Sequence, residues 1–514
     1  MLKNSSIKIA AFALSAALAF SGCGGGGGDN TNNGQLGATG TTTGGAATTG
    51  TTGGGGTTGG TTGLGLTGST LGGGGGGSSG SSTTSGGATT ATTTGTTTTA
   101  TTTTTTTGGG GTNTFLNPVT GTNFINSLTN PTSFVSMNVN GSSRIFLLDG
   151  FRNGQSNGRL LAVSPNGATP LTPVQVTAAA GSDARFTVGS GAITSPFDIQ
   201  TDGTNLYLSV GFGVNNEGAI VRVSNLQQTG TTGPITGVFE VISDDNGTTA
   251  SVFSVNPCFM TLVGGLNGVD YVYWSEYSAS TATGRVRRCR LDGTGGLPQT
   301  VLEGLNFPAG LDHDGVNLVI CDSAGAAGNG QVLRVPLLDP LPNPAPGVNS
   351  ATVISVLNQG APGAQQAIFR PFDVDYDGNN GFFFTEGASL TRDVSNPGPT
   401  GPGVGAVRYL PSNSTVCRIV SNGLANPAGI NAVDTNADGT SEVLFAEGAQ
   451  TTNGRILRRV VNTANVTNAT PNEVEIGLLS PLMVGIVSNT QPSFFATIAF
   501  DGGVANGRMR LYAP

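Results

Sequence analysis

"NGRILRRV", residues Asn453–Val460, contains the pattern that decides the fold: a glycine followed two residues later by an apolar side chain, and often by an arginine. The pattern recurs along the C-terminal part of the chain, beginning at Gly158, Gly218, Gly284, Gly330, Gly405, Gly454 and Gly507. A unit repeated at this kind of spacing is typical of architectures built from copies of one supersecondary motif. The repeat is therefore the first constraint on the fold.

Two further signatures precede each glycine. An apolar run ends in an acid in six units, at Asp149, Glu276, Asp322, Glu386, Glu447 and Asp501, and Ser209 stands in the acid's place in the second unit. Earlier still comes a proline-led apolar run, as in "SPFDIQTDG" and "RPFDVDYDG", which often closes in Asp-Gly. Asp-Gly between apolar runs indicates a tight turn between two strands.

Each unit thus has the pattern strand, turn, strand, loop, glycine-led strand and a weaker fourth strand. Four short antiparallel strands repeated in this way are typical of propeller blades. We predict an all-β protein with a single β-propeller over residues 114–514. Seven blades are favoured. The alternative is six blades, with the first unit lying outside the ring.

Closure of the ring needs a strand from elsewhere, because the chain ends directly after the third strand of the seventh unit. Proteins usually cover such an exposed strand edge. The segment Thr114–Ile125 is extended and belongs to no unit. We predict that it pairs with the strand around Arg508–Tyr512 and joins the two ends of the domain.

The repeats resemble two groups of known propellers. "VYWSE" and "GRVRRCRLDGTGG" resemble the YWTD repeats of low-density-lipoprotein-receptor propellers, and "RPFDVDYDG" and "FPAGLDHDG" resemble NHL and gluconolactonase-type propellers. Both resemblances imply the same fold. The second also implies a lactonase-like hydrolase in which a central divalent cation activates water.

The N-terminus has the features of an export signal. Lys3 and Lys8 precede an uncharged apolar run, which is too short to span a bilayer and ends in "FSGC". This ending resembles the lipobox of bacterial lipoproteins, so we predict a lipoprotein signal peptide over residues 1–22 and acylation of Cys23. An ordinary secretory signal is the alternative.

Residues 23–113 comprise this cysteine and a stretch of almost pure glycine and threonine. Such a composition has too little apolar surface to offset the entropy of ordering. We predict a disordered tether that holds the propeller at a membrane of the cell envelope.

The charge of the exported chain limits its partners. The formal net charge of −8 includes Lys3 and Lys8, so their removal leaves −8 − 2 = −10 and no lysine. An acidic surface disfavours nucleic acid and anionic lipid as partners. The predicted attachment to the membrane is through the lipid alone.

Carboxylates are the candidate metal ligands. The topology brings the acids that end the second strands to one rim, and Asp198 and Asp373 to the channel side of the innermost strand. Calcium is the one cofactor that such oxygens suggest, with Asp198, Glu276, Asp322, Asp373, Glu386 and Glu447 as candidate ligands. A structural role is favoured, because in the YWTD propellers the repeated aspartate ties neighbouring blades together.

Other reactive side chains give weaker signals. Cys258, Cys289, Cys321 and Cys417 lack metal-ligand spacing and are expected to be buried, with their pairing left open. His313, the only histidine, is expected in a solvated turn. The sequence contains no nucleophile elbow, P-loop or zinc spacing.

Two functions therefore compete. The favoured one is a lipid-anchored binding or scaffold protein that presents a loop-rich face, including the insert Ser389–Gly405, to a protein, glycan or peptide. The alternative is the metal-dependent lactonase-like hydrolase. Whether the chain is an enzyme stays undecided, with the non-enzyme favoured, and we name no catalytic residue.

Overall fold

The structure is a computed structural model. It describes residues 122–129, 131–150, 158–164, 173–212, 217–230, 233–244, 256–278, 283–294, 297–323, 329–358, 368–387, 405–434, 436–448, 454–478, 481–486, 495–499 and 507–512. The predicted signal peptide, Cys23, the tether, Asp501 and nearly all of the predicted insert after Ser389 lie outside these ranges. Among the described residues there is no helix long and apolar enough to cross a membrane.

The regular secondary structure of the described residues consists almost entirely of strands. The first fourteen are β1 (Thr122–Leu128), β2 (Pro131–Val139), β3 (Ser142–Asp149), β4 (Gly158–Val163), β5 (Val174–Ala178), β6 (Ala192–Ile193), β7 (Pro196–Thr201), β8 (Leu206–Phe212), β9 (Glu217–Gln228), β10 (Ile235–Asp244), β11 (Asn256–Leu266), β12 (Val269–Ser278), β13 (Thr283–Arg290) and β14 (Gln299–Leu305).

The remaining strands are β15 (Pro308–His313), β16 (Asn317–Asp322), β17 (Asn329–Pro336), β18 (Ile354–Ser355), β19 (Leu357–Asn358), β20 (Ile368–Phe369), β21 (Pro371–Tyr376), β22 (Gly381–Glu386), β23 (Gly405–Pro411), β24 (Val416–Leu424), β25 (Pro427–Val433), β26 (Thr440–Glu447), β27 (Gly454–Asn462), β28 (Asn472–Leu478), β29 (Pro481–Ile486), β30 (Phe495–Ala499) and β31 (Gly507–Tyr512). A 3-10 helix, Thr463–Asn465, lies between β27 and β28.

The described strands form seven antiparallel units of four. Blade 1 is β2-β3-β4-β5, blade 2 is β7-β8-β9-β10, blade 3 is β11-β12-β13-β14, and blade 4 is β15-β16-β17-β18. Blade 5 is β21-β22-β23-β24, blade 6 is β25-β26-β27-β28, and blade 7 is β29-β30-β31-β1. Each innermost strand contacts that of the next blade from β2 through to β29, and blade 7 contacts β2 through β30 and β31. The protein is a seven-bladed β-propeller, as predicted.

Blade 7 is completed by the N-terminal strand. β1 pairs antiparallel with β31, with Thr122 opposite Leu511 and Asn123 opposite Arg510. The side chain of Ile125 on β1 is fully buried in the largest core cluster. The predicted closure by the segment before the first unit is therefore confirmed for β1, which extends to Leu128.

The repeat glycine makes room for a proline of the following blade. A Cβ atom on Gly454 would lie 2.1 Å from Cδ of Pro481, and one on Gly284 would lie 2.1 Å from Cδ of Pro308. The same contact joins Gly158 to Pro196, Gly330 to Pro371 and Gly405 to Pro427, all at under 2.5 Å. The glycine begins the third strand of one blade where the inner strand of the next blade begins, so a larger side chain does not fit.

Apolar residues cover both faces of the middle strands. In β22, Phe382 and Phe384 belong to the largest core cluster, whereas Phe383 belongs to a second cluster and packs 4.8 Å from Tyr409 between ring centroids. Successive side chains of a strand point to opposite faces. A run such as "GFFFTE" is therefore apolar throughout, because each face of a blade packs against a neighbouring blade.

Candidate functional site

The five predicted acids that the structure describes lie on one rim of the ring, here named the acid rim. Glu276 lies opposite Pro257 at the start of its inner strand and opposite Arg285 on its third strand. The same register holds for Asp149, Asp322, Glu386 and Glu447, each of which lies opposite the leading proline of its blade. The Asp-Gly turns lie on the opposite edge, here named the turn rim.

The acids of the acid rim are buried and paired within their surroundings. Arg159 donates to Asp149 at 2.7 Å, and Arg285 donates to Glu276 at 2.5 Å. Arg408 donates to Glu386 at 2.5 Å, and Arg455 donates to Glu447. All five acids are at most 4% exposed.

Three of these acids also accept from the linker that leads into the inner strand of their blade. Asp322 accepts from the N–H of Phe307 at 2.7 Å, and Glu447 accepts from the N–H of Ala425 at 2.7 Å. Glu386 accepts from the N–H of Phe369 at 3.3 Å. Burial raises the pKa of Asp322, and its hydrogen bonds from Gln331, Phe307 and Asn306 oppose that shift. The contacts hold the linker against the second strand of the blade.

The second unit departs from the predicted alignment. Val210, not Ser209, lies opposite Pro196 and so stands in the acid's place. Ser209 is one residue earlier, where its hydroxyl accepts from the N–H of Asp198 and donates to the carbonyl of Cys258, both at 2.8 Å. The prediction that Ser209 replaces the acid was wrong. The residue in the acid's place is the one opposite the leading proline, and in this unit that residue is one position later than the sequence alignment indicated.

Asp198 connects three blades. Its Oδ1 accepts from the hydroxyl of Ser133 in blade 1, and its Oδ2 accepts from the N–H of Met260 in blade 3, both at 2.8 Å. The carboxylate is fully buried, and burial raises its pKa to about 7 despite these donors. A buried carboxylate with this many donors ties the inner strands together.

Asp373 makes the equivalent connection in blade 5. Its Oδ2 accepts from the N–H of Ile430 in blade 6 at 3.0 Å, and its own N–H donates to Thr385 Oγ1. Thr385 in turn donates to the carbonyl of Ala428 in blade 6 at 2.8 Å. The pairs Asp198–Ser209 and Asp373–Thr385 therefore form the same clasp to the following blade.

Three phenylalanines of the inner strands pack together near the acid rim. The ring of Phe259 lies 5.3 Å from Phe197 and 5.8 Å from Phe372, edge to face in both cases. All three are at most 2% exposed. Phe259 of blade 3 reaches Phe372 of blade 5 past blade 4, whose inner strand has the small residues Ala309 and Gly310 at this level.

Each of the six predicted metal ligands has its own hydrogen-bond or ion-pair partners in the protein. The Asp198 carboxylate accepts from backbone N–H groups, from Ser133 and from Gln200, and the Asp373 carboxylate accepts from backbone N–H groups. Glu276, Glu386 and Glu447 are paired with arginines, as described above. Within the described ranges, no three His, Cys, Asp or Glu side chains are placed to share a metal ion. These contacts tie neighbouring strands together, and the structural role stays a prediction.

Among the described residues, a small crevice on the acid rim lies between blades 2 and 3. It is lined by Gly218, Trp274, Glu276, Arg287 and Pro298, among others. Trp274 Nε1 donates to Glu276 at 2.6 Å, and Arg287 donates to the carbonyl of Pro298 at 3.0 Å. Sequence reasoning did not single out Trp274, whose partner is the repeat acid itself.

The remaining candidate groups have structural surroundings. Cys289, Cys321 and Cys417 are reduced and buried, and burial raises the pKa of Cys289 to about 12 and that of Cys417 to about 11, which makes both unreactive. Cys258 is buried at the start of β11. His313 is the last residue of β15, and its Nε2 lies 2.8 Å from the carbonyl oxygen of Leu262, so it is held between blades 3 and 4 rather than fully solvated.

The sequence matches no protein-family description and no curated protein. Similar solved structures include the Dos1 propeller, with 11% identity over 77% of this chain and 95% of that one and a TM-score of 0.43. An ulvan lyase, a polysaccharide lyase solved with a glucuronic acid–sulfated rhamnose unit, has 8% identity over 76% and 96% of the two chains and a TM-score of 0.46.

Proposed function

We propose that the chain is a lipid-anchored propeller of the cell envelope that acts as a binding or scaffold protein through its acid rim. The N-terminal signal with Cys23 supports the lipid anchor. The glycine- and threonine-rich stretch supports a tether between anchor and propeller.

The cluster of three buried phenylalanines at the acid rim is the observation that carries the binding role. Phe197, Phe259 and Phe372 of three inner strands are buried near the acid rim and pack edge to face. Pockets that enclose small molecules are concave and roomy. Because the crevice that the described residues form on this rim is small, we infer that a ligand binds the surface of the rim, which favours a macromolecule.

The surroundings of the carboxylates support the same conclusion. A lactonase-like mechanism would need carboxylates that converge on a divalent cation. Asp198 and Asp373 would have to leave Met260 and Ile430, the donors that connect the blades. The metal-dependent hydrolase therefore stays a hypothesis from sequence resemblance.

The acid rim offers polar groups for recognition. The side chains of Arg159 and Arg455 are 37% and 35% exposed while each pairs with a buried carboxylate. Arginines held in this way present their remaining N–H groups in a fixed direction, which suits carboxylate and hydroxyl acceptors of a protein, peptide or glycan. The net negative charge disfavours nucleic acid.

Site-specific photo-crosslinking in cells tests this proposal. A photoreactive amino acid replaces Arg159 or Arg455 on the acid rim, and Arg290 at the other end of the strands serves as control, since its side chain is 40% exposed and also pairs with an acid. We expect one cross-linked species from both acid-rim positions and none from Arg290. Equal labelling from all three positions, or none from any, contradicts a binding face on the acid rim.

A further inference from the structure

The turn between β25 and β26, on the turn rim, carries a pattern of oxygen ligands. Residues 434–439 read "DTNADG", which places Asp434, Asn436 and Asp438 at alternate positions before Gly439. In calcium-binding loops, positions 1, 3 and 5 supply side-chain oxygens and a glycine at position 6 makes the sharp turn. Gly439 has φ +81°, as such a turn requires.

Asp434 has one oxygen that the protein leaves unbonded. Its Oδ2 accepts from the N–H of Gly439 at 3.1 Å and from Asn380 Nδ2 at 2.7 Å. Its Oδ1 is buried and has no hydrogen-bond partner, and the residue is 5% exposed. A buried carboxylate oxygen without a donor is costly unless something else binds it. Because Oδ2 is fixed to Gly439 from inside the turn, Oδ1 also lies at the turn.

Asp438 and Asn436 place two further polar atoms at calcium spacing. Asp438 Oδ1 accepts from the N–H of Thr440 at 2.8 Å, while its Oδ2 lies 2.9 Å from Asn436 Nδ2. A half turn of the Asn436 amide puts its oxygen at that position. Neighbouring equatorial ligands of a pentagonal-bipyramidal calcium ion are about 2.8 Å apart. An Asn436 oxygen in place of Nδ2 would therefore stand at the separation of two adjacent ligands.

Thr440 stands at position 7 of this loop. The N–H of Thr463 donates to the carbonyl of Gly439, so Gly439 faces β27 and Thr440, one residue on, faces away from it. The N–H of Thr440 already bonds the Asp438 carboxylate. Its carbonyl points to the same side, where position 7 of a calcium loop binds the ion through its carbonyl.

We propose that this turn binds a calcium ion through Asp434 Oδ1, Asn436 Oδ1, Asp438 Oδ2 and the Thr440 carbonyl, with water completing the shell. This site is separate from the acid rim and from the six acids predicted by sequence, and it does not depend on the proposed binding function. Two carboxylates make it a weak site, with a dissociation constant on the order of 0.1–1 mM, as in extracellular modules. Because Asn380 of blade 5 bonds Asp434, the ion stabilises the contact between blades 5 and 6.

Calcium titration of the full chain, purified in detergent, tests the site. Asp438→Ala removes one ligand at an exposed position. Asp292→Ala is the matched control, because Asp292 also precedes Gly-Thr and accepts from the N–H of Thr294 at 2.9 Å in an exposed turn. Calorimetry with calcium alone gives the affinity, and melting with 10 mM calcium against chelator gives the stability.

We expect calcium to raise the melting temperature of the wild type and of Asp292→Ala by about 2–6 °C. Asp438→Ala should bind calcium at least about tenfold more weakly and lose the rise. No binding by the wild type, unchanged binding by Asp438→Ala, or an equal loss in Asp292→Ala overturns the proposal. An equal response to magnesium overturns it too, since magnesium requires shorter, octahedral ligation.

Discussion

The carboxylate of Asp198 accepts a hydrogen bond from the backbone N–H of Met260 at 2.8 Å, which joins the inner strand of blade 2 to that of blade 3. Ser133 donates to the same carboxylate from blade 1. One buried side chain thus bridges three consecutive blades. Because burial raises its pKa to about 7, the strength of this bridge depends on pH.

We predict that Asp198 makes the wild type less stable as the pH rises from about 4 to 7. Its folded pKa of about 7 is above the ordinary value of 3.8, so the native state holds a proton that the unfolded state has released. The free energy of unfolding should fall across this range by an amount on the order of a few kcal/mol from this group. Asp198→Asn, which does not titrate, should lack this part of the slope.

Urea unfolding at pH 4.5 and 7.5 measures the difference between the two proteins. We expect the wild type to lose more stability than Asp198→Asn between these values. An identical loss in both contradicts the raised pKa of the Asp198 carboxylate.

Gly454→Ala should destabilise the propeller by about 2 kcal/mol or more, because the new methyl group would lie 2.1 Å from Cδ of Pro481. Gly347→Ala is the matched control, since a Cβ atom there meets nothing within 4 Å. Thermal unfolding of both variants gives the comparison. Adding Pro481→Ala to Gly454→Ala should recover part of the loss, and a double variant with additive losses would falsify the glycine–proline contact as the cause.

Cys23→Ser should abolish lipidation and release the protein from membranes, since a stable anchor requires the acyl chains that this cysteine carries. Detergent partitioning and membrane fractionation report the change. Cleavage at the same bond with unchanged membrane attachment in Cys23→Ser contradicts the lipoprotein assignment. Cys417→Ser, at a buried and reduced cysteine, serves as the control for loss of a thiol.

Much of the fold could be predicted from the sequence because its repeats are local patterns. The seven glycines begin or nearly begin the third strands, the prolines lead the inner strands, and the unclaimed N-terminal segment completes blade 7. The reason for the glycine was not predictable. It depends on the close approach of Pro481 in blade 7 to Gly454 in blade 6. The sequence of a single unit does not show this distance.

The candidate sites were harder to predict, because they depend on neighbours that are distant in sequence. Asp198 and Asp373 were placed correctly on the inner strands, yet their partners Met260 and Ile430 are backbone groups of other blades. Ser209 was misassigned because Val210 breaks the acid pattern. The "DTNADG" segment is visible in the sequence as an Asp-Gly turn signal, but the unbonded oxygen of Asp434 emerges only from the folded structure.

Closure of the seven-bladed ring by β1 is the central claim, and a cross-strand disulfide tests it most directly. Asn123 lies opposite Arg510, so the pair Asn123→Cys with Arg510→Cys should oxidise to an intramolecular disulfide, identified by mass spectrometry of linked peptides. Asn123→Cys with Arg508→Cys is the off-register control, because strand neighbours displaced by two residues are about 7–8 Å apart, too far for a bond. We predict near-complete cross-linking of the first pair and little of the second. No cross-link in the first pair, or equal cross-linking in both, would contradict the closed ring.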